Sequence, residues 1–243
     1  MQIIFFVYYR SITLKGNFMK IENLNIAYDN KNILKNINIE IKEQDFVFLI
    51  GNSWSGKTSF IKSLIWDLKP KSGKIITNDW LDIYNFTPKE LTKYRRTIGI
   101  VFQDYKLLKS KTVKENVAFA MEVCGYSDKQ IAQRVPEVLS QVWLLNKKDN
   151  FIDTLSGWEA QRIAVARALI HNPDIIIWDE PTGNLDPHNA DEIMTILSEL
   201  NRWWKTIIIA THDDKIVNKL KKRVITFKDW LVFSDIKNWN YDL

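Results

Sequence analysis

An eight-residue pattern at 51–58 limits the possible folds of this chain more than any other segment. The residues read Gly-Asn-Ser-Trp-Ser-Gly-Lys-Thr and match G-x-x-x-x-G-K-[ST]. In such a pattern the backbone N–H groups of a loop and of a helix N-terminus surround phosphate oxygens. The β-type run Phe46–Ile50 precedes the pattern, and apolar residues with helical spacing follow it as far as Leu68. This order of strand, glycine loop and helix predicts a nucleoside-triphosphate site.

Two side chains of the loop have expected roles in phosphate and metal binding. Lys57 is placed to reach the β- and γ-phosphates as a point charge, and the Thr58 hydroxyl is placed to bind Mg²⁺. The residues of this loop that we predict to bind the nucleotide are Gly51, Asn52, Ser53, Trp54, Ser55, Gly56, Lys57, Thr58 and Ser59.

An acidic pair follows a strand-type run in the second half of the chain. Asp179 and Glu180 come directly after the run at 174–178, at the carboxyl end of a predicted strand, where open α/β sheets bind their ligands. Asp179 suits the Mg²⁺ shell, and Glu180 suits a general base for water. The alternative is a pair that merely starts a loop before Pro181. The phosphate loop in the same chain favours the catalytic interpretation.

One of the three histidines follows another strand-type run. His212 comes after Thr206–Ala210, from where it can hydrogen-bond the γ-phosphate or the attacking water. Considered alone, a structural histidine is the alternative. His171 and His188 are interpreted as structural or surface residues. The predicted catalytic residues are therefore Glu180, His212 and Lys57.

The distribution of apolar residues predicts an α/β fold with a mainly parallel central sheet. Strand-type runs alternate with helical stretches in the second half of the chain, which is typical of parallel sheets. Two further runs, at 20–27 and 33–41, open the regular part as an N-terminal β unit, and about 88–155 is predicted to form an inserted helical lobe. Strands are also expected at 223–227, and helices at 57–68, 187–201 and 213–222.

The first 18 residues do not fit this pattern, which begins cleanly at Met19. We interpret 1–18 as a non-native or disordered extension, with translation starting at Met19. Residues 19–243 are then a single ATPase domain, a description that rests on the resemblance given below.

Composition excludes several functions. The chain has one cysteine, Cys124, and therefore no internal disulfide, and it shows no cleavable signal segment, which favours a cytoplasmic protein. The apolar run at 3–9 is far shorter than the about 20 residues that span a bilayer. The net charge of +5 is spread along the chain without a compact basic stripe, so a nucleic-acid partner is not expected.

Taken together, these motifs resemble the nucleotide-binding subunits of ABC transporters over nearly all of residues 19–233. The resemblance implies ATP and Mg²⁺ as cofactors, Tyr28 as the aromatic residue that stacks on adenine, and Gln103 as a Q-loop residue near the metal. The implied metal ligands are thus Thr58, Gln103 and Asp179. Asp186 matches the D-loop. In such proteins a homodimer encloses two ATP molecules, with a signature motif acting in trans, here Ser156, Gly157, Trp158 and Glu159.

Within that superfamily, the segments at 101–108, 112–120 and 134–139 are most similar to the FtsE group of cell-division ATPases. That similarity implies an integral membrane partner resembling the FtsX permease, peripheral attachment at the cytoplasmic face of the membrane, and control of peptidoglycan hydrolysis. ATPase subunits for lipoprotein release or macrolide export share most of these motifs and remain an alternative.

Tryptophan stands at several positions where glycine is expected. The chain has 10 Trp and only 8 Gly, and their sum of 18 in 243 residues is close to the ordinary glycine share of about 7%. Trp158 replaces the second glycine of the signature, and Trp54 lies in the phosphate loop. Further examples at turns of the family are Trp80, Trp143, Trp204 and Trp230; Trp66, Trp178, Trp203 and Trp239 are less clear.

Two interpretations explain these tryptophans. Either the cassette is degenerate, or UGA codons that the source cell reads as glycine have been written as tryptophan. We favour the second, because it accounts for both counts and for the positions. With glycines the chain is an ordinary MgATPase, whereas genuine Trp54 and Trp158 favour a nucleotide-dependent scaffold that hydrolyses little. A soluble cassette acting on DNA or ribosomes is a third possibility, but such proteins usually carry paired cassettes.

Overall fold

The computed structural model describes residues 19–29, 31–77, 80–181 and 187–237. The predicted extension at 1–18 and the D-loop residue Asp186 lie outside these ranges. The boundary at Met19 and the single domain at 19–243 therefore stay predictions.

Strands and helices alternate along the described chain. The strands are β1 (Met19–Tyr28), β2 (Lys31–Ile41), β3 (Phe46–Ile50), β4 (Ser72–Ile76), β5 (Ile98–Val101), β6 (Ile175–Asp179), β7 (Thr206–Ala210), β8 (Arg223–Lys228) and β9 (Leu231–Ile236). The α-helices are α1 (Lys57–Leu64), α2 (Pro88–Arg96), α3 (Val113–Glu122), α4 (Asp128–Gln141), α5 (Gly157–Leu169), α6 (Pro187–Arg202) and α7 (Asp214–Leu220).

The central sheet has six described strands in the order β5-β6-β7-β3-β8-β9. Its pairs are parallel except for β8 with β9, which are antiparallel. A second, antiparallel sheet has the order β2-β1-β4. All residues of β7 are buried, as expected for a parallel strand covered on both faces. The predicted fold class is confirmed.

The hydrophobic core has two layers, one on each face of the central sheet. On one face Phe48 and Ile207 belong to the cluster that includes buried residues of α3, α5 and α6. On the other face Val47 and Ile208 cluster with α1 and with the antiparallel sheet. Successive side chains of a strand point to opposite faces, so one short apolar run supplies both layers.

The strand order determines where the site lies. Strands β6, β7 and β3 are adjacent and parallel, so their carboxyl ends meet at the same edge of the sheet. The segments that follow them contain the phosphate loop, the acidic pair and His212. Three segments that are far apart in sequence are therefore brought together by the sheet.

The structure differs from the predicted elements in several places. The helix expected at 57–68 ends at Leu64, because Trp66 adopts a left-handed conformation. The range at 88–155 holds α2, α3 and α4 but also β5, which pairs with β6. The sequence did not predict β4, β5 or β9. No helix in the described ranges is long and apolar enough to cross a membrane.

Candidate nucleotide-binding site

The loop between β3 and α1 depends on two glycines. Gly51 and Gly56 have φ angles of 146° and 101°, a region that L side chains rarely adopt. A Cβ on Gly51 would lie 2.2 Å from the Phe227 carbonyl oxygen, and one on Gly56 would lie 2.5 Å from Leu34 Cδ2. The loop is thus held tightly between β8 and β2, which places its backbone at the end of α1.

Lys57 is the buried cation of the site. Its side chain is only 8% exposed, and its ammonium group donates to the carbonyl oxygens of Gly51 at 2.7 Å and Asn52 at 3.2 Å. Burial lowers the pKa of Lys57, while the nearby charges of Glu180 and Asp179 oppose that shift. The structure therefore brings the loop lysine and the acidic pair into one pocket.

The donor set next to Lys57 fits Mg²⁺. Burial raises the pKa of Asp179, and a hydrogen bond from the Thr58 hydroxyl opposes this shift. One hydroxyl and one carboxylate suit a cation that keeps several waters and binds phosphate oxygens. In the described ranges no group of three His, Cys, Asp or Glu residues is placed to hold a metal ion. Magnesium at Asp179 would therefore depend on the nucleotide for part of its coordination.

The loop also carries a hydroxyl without a partner. Ser55 is buried, and its Oγ has no hydrogen-bond partner among the described residues. A buried hydroxyl without a partner costs free energy, and this one belongs to the phosphate-binding pattern. Ser55 therefore supports the interpretation of 51–58 as a cradle for an anion.

Glu180 is held in an unusual backbone conformation beside His212. Its φ is 55°, and its N–H donates to the Ala210 carbonyl at 2.8 Å, beyond the end of β6. Glu180 Oε2 lies 2.9 Å from His212 Nδ1. The carboxylate is 17% exposed, and the imidazole is 72% exposed. Left-handed non-glycine residues concentrate at functional sites, and the imidazole here fixes the direction of the carboxylate.

Two further predicted ligands, Gln103 and Tyr28, are exposed at strand ends. Gln103 is exposed in the turn after β5; since Val101 pairs with Trp178, Gln103 lies level with the residues that follow β6. Tyr28 is 47% exposed at the end of β1. The neighbouring strand β2 contacts the phosphate loop at Leu34, as the surroundings of Gly56 indicate.

The predicted signature residues form the N-terminus of α5. Ser156 is the N-cap: its hydroxyl accepts from the Glu159 N–H, and the Glu159 carboxylate accepts from the Ser156 N–H at 3.0 Å. Lys147 forms an ion pair with Glu159. This capping box satisfies backbone donors at the helix start. Both Ser156 and Gly157 are exposed, so they are free to meet a ligand or a second chain.

Trp158 packs on a buried arginine of the same helix. The Arg162 guanidinium lies 3.6 Å from the centre of the Trp158 ring and 4.6 Å from that of Trp143. Arg162 also forms an ion pair with Glu192. The indole N–H of Trp158 is buried without a hydrogen-bond partner among the described residues. The aromatic ring is therefore accommodated, but its polar atom is not.

Two site-related residues were not predicted from the sequence. Gln161, fully buried on α5, donates from its side-chain amide to the carbonyl oxygen of Pro181, directly after Glu180. Arg167, near the end of α5, donates to the carbonyl oxygens of Tyr105 and Lys106 in the segment after Gln103. The signal that could have identified them is the occurrence of polar residues in a helix that is otherwise mostly apolar. Through them α5 contacts both segments of the pocket.

Comparison with known proteins gives a consistent result. The family profile described as ABC transporter matches residues 34–183. The cell division ATP-binding protein FtsE of Bacillus subtilis is 45% identical over 208 residues, which cover 86% of this chain and 91% of that protein. FtsE of Streptococcus pneumoniae serotype 2 is 43% identical over 215 residues, covering 88% and 93%.

Solved structures agree with this result. The dimeric ATP-binding cassette MJ0796, in a post-hydrolysis state with ADP and Pi bound, superposes with a TM-score of 0.81 at 33% identity, covering 92% of this chain and 100% of that chain. The resemblance inferred from the motifs is confirmed for both the fold and the family.

Proposed function

Since this chain belongs to the ABC transporter family of ATP-binding proteins, we propose that it binds MgATP, hydrolyses it and thereby drives or gates a membrane partner in an FtsE-like cell-division role. The observation that carries the hydrolase proposal is the convergence of three segments. The negative charges of Asp179 and Glu180 interact with buried Lys57, and Glu180 forms a hydrogen bond with His212. This arrangement provides a phosphate-binding cation, a metal-binding acid and a directed base.

Each group of site residues has a separate role in the proposed hydrolysis. The amides of residues 51–59 and the Lys57 ammonium hold the phosphates and compensate charge that develops in the transition state. Thr58, Asp179 and Gln103 would hold Mg²⁺, which would supply Lewis-acid stabilisation of the phosphate oxygens. Glu180 orients the attacking water and accepts its proton, while Tyr28 stacks on the adenine.

His212 is a positioning residue for the base in this proposal. With its proton on Nδ1 the imidazole donates to Glu180 Oε2 across 2.9 Å, which fixes the carboxylate and leaves the exposed side of the ring toward the γ-phosphate. A residue that senses the γ-phosphate through this contact couples phosphate loss to the position of the base.

We expect two chains to enclose ATP between them. Ser156, Gly157, Trp158 and Glu159 then face the phosphate loop of the partner copy, and Asp186 contributes from the D-loop. The exposed N-terminus of α5 supports this role, since helix N-termini attract anions. The dimeric cassette with ADP and Pi, similar to this chain, is consistent with it. ATP binding closes the dimer, and hydrolysis reopens it.

The segment at 103–108 is the proposed contact with an FtsX-like permease, which would hold the chain at the cytoplasmic face of the membrane. Arg167 ties this segment to α5 through the carbonyl oxygens of Tyr105 and Lys106. Because α5 starts at the signature residues, closure of the dimer is transmitted along one helix toward the partner. No nucleic acid takes part in this proposal.

One observation favours a second candidate. If residue 158 is tryptophan in the native protein, an indole that covers Arg162 stands where the signature has its second glycine. The chain would then act as a nucleotide-dependent scaffold with little turnover. ATPase subunits for lipoprotein release or macrolide export remain the alternative within the family.

The test of hydrolysis is phosphate release by the chain with glycine at positions 54 and 158, and by its Glu180→Gln variant. We expect turnover to fall by about 10²- to 10⁴-fold in Glu180→Gln, while affinity for a fluorescent ATP analogue is retained. Glu43→Gln is the matched control, because Glu43 is an exposed carboxylate in the loop before β3. Equal phosphate release in Glu180→Gln and Glu43→Gln would refute the assignment of the base.

A further inference from the structure

Six of the tryptophans in the described part of the chain adopt a left-handed backbone conformation. Nine of the ten lie in the described ranges, and those with positive φ are Trp54 (69°), Trp66 (60°), Trp80 (59°), Trp143 (57°), Trp204 (66°) and Trp230 (67°). Only a few per cent of non-glycine residues adopt positive φ, and bulky residues do so least. Glycine is the residue for which this conformation costs nothing in steric energy.

Three of these tryptophans close helices in the same way. At the ends of α1, α4 and α6, the N–H of the tryptophan bonds to the carbonyl three residues earlier, at 3.1 Å in each case (Trp66 to Ser63, Trp143 to Ser140, Trp204 to Asn201). The next N–H bonds to the carbonyl five residues before it (Asp67 to Lys62, Leu144 to Leu139, Lys205 to Leu200). This pair of bonds defines the Schellman motif, whose left-handed position is usually glycine.

A fourth tryptophan lies in the hairpin that connects β8 and β9 of the central sheet. Lys228 pairs with Leu231, so Asp229 and Trp230 alone form the turn between β8 and β9. Both have positive φ, 51° and 67°. A two-residue hairpin with two positive φ angles is a type I′ turn, for which Asp-Gly is among the preferred pairs. Asp-Trp is not a preferred pair for this turn.

The other two lie in loops, where their rings bury little surface. Trp54 is 94% exposed within the phosphate loop, and Trp80 is 72% exposed in the turn after β4. Since an exposed indole gains little from burial, burial of these rings offsets little of the backbone strain. Trp66 is partly buried instead, but its buried indole N–H has no hydrogen-bond partner among the described residues.

We propose that residues 54, 66, 80, 143, 204 and 230 are glycine in the native polypeptide, encoded by UGA codons that the source cell decodes with a glycine tRNA. The left-handed backbone at each site is one that glycine adopts without strain. The six sites lie at three helix C-termini, in the type I′ hairpin, in the phosphate loop and in the turn after β4. This geometry does not include Trp158, Trp178 or Trp203, whose φ angles are not positive, and Trp239 lies outside the described residues. The proposal is independent of the proposed ATPase activity.

The direct test combines the gene with the native protein. We expect UGA at the six codons, and tryptic peptides of protein from the source cell that contain glycine at these positions and are lighter by one indole side chain per site. UGG codons at these positions, or tryptophan in the native peptides, would overturn the proposal. Neither measurement depends on nucleotide binding or turnover.

Translation in a second host gives an independent readout. In a host that reads UGA as a stop, the unaltered gene should yield chains that end before residue 54, and a gene with GGA at the UGA positions should yield the full chain. Full-length product from the unaltered gene in that host would count against the proposal.

Stability gives a matched comparison between neighbours. Trp203 and Trp204 are adjacent and both exposed, but only Trp204 has positive φ. Trp204→Gly should raise the midpoint of thermal unfolding, because it removes the strain, whereas Trp203→Gly should not raise it. An equal effect of the two substitutions would contradict the structural argument.

Discussion

Replacing Gly56 by alanine tests how tightly the phosphate loop is built into the fold. The new Cβ would lie 2.5 Å from Leu34 Cδ2 and 2.9 Å from the Ile33 carbonyl oxygen, while φ stays near 101°. Left-handed strain costs about 1–2 kcal/mol, and forcing an extra methyl group into packed surroundings costs about 1–3 kcal/mol more. We therefore expect a loss of about 2–5 kcal/mol in the free energy of unfolding.

Gly125→Ala is the control that separates these two costs. Gly125 also has positive φ, 75°, but a Cβ there would meet no atom within 4 Å. This variant should lose only the strain, about 1–2 kcal/mol. Because Gly56 lies in the loop and Gly125 follows α3, only Gly56→Ala should also weaken binding of a fluorescent ATP analogue.

The assay is urea unfolding of both variants in the same background, followed by thermal unfolding. For a domain of this size about 1 kcal/mol corresponds to about 2–4 °C in the unfolding midpoint, so the two variants should be well separated. If Gly56→Ala loses no more stability than Gly125→Ala, strand β2 does not confine the loop and the reasoning fails.

Three further predictions concern α5 and its surroundings. Gln161→Ala should lower the free energy of unfolding by about 1–3 kcal/mol, because it leaves the carbonyl of Pro181 without its donor. The substitution should also reduce turnover more than nucleotide affinity. Unchanged urea unfolding would contradict this prediction. Arg167→Lys should lower the free energy of unfolding by about 1.5–3 kcal/mol, because a single ammonium cannot replace both guanidinium hydrogen bonds to Tyr105 and Lys106. In this variant, limited proteolysis should cut the chain near residue 105 faster than in wild type. Burial lowers the pKa of His171 from its ordinary value of 6.5. Below pH 6.5 the unfolded state therefore binds a proton more readily than the folded state, and the free energy of unfolding should fall as pH decreases. His171→Gln should flatten this slope in urea unfolding at several pH values, and an unchanged slope would exclude His171 as its source.

Much of the site could be predicted because its parts are local. Gly51, Gly56 and Lys57 belong to one continuous loop whose backbone needs are visible in the residue types. The acidic pair and His212 each follow an apolar run, which marks a strand end. The assignment of roles to these residues stays a prediction, while the family and the fold are confirmed.

Strand β5 and the internal contacts of α5 could not be predicted in the same way. Strand β5 has only four residues, too few to show a period, and it exists because it pairs with β6. Gln161 and Arg167 look like ordinary polar residues of a helix until Pro181 and Tyr105 are placed against them. Their partners lie 20 and 62 residues away, so no local pattern contains the information.

The interpretation of the tryptophans uses both the sequence and the backbone geometry. Their number and positions raised the possibility of glycine, but sequence placed Trp66 among the less clear cases and Trp158 among the clear ones. The backbone adds evidence for glycine at Trp66, which closes α1 at a φ of 60°, and none at Trp158, which has no positive φ. A dihedral angle is set by the hydrogen bonds at a helix end, which the sequence shows only indirectly.

The sequence by itself determined the glycine loop, the strands β3, β6 and β7 and the family, because each depends on residues that are neighbours along the chain. Only the tertiary structure decided that Glu180 meets His212, 32 residues away, and that Glu180 and Asp179 lie near Lys57. The reason is the order β6-β7-β3 in the sheet. Which strands lie side by side depends on how whole apolar faces pack, and no single segment specifies it.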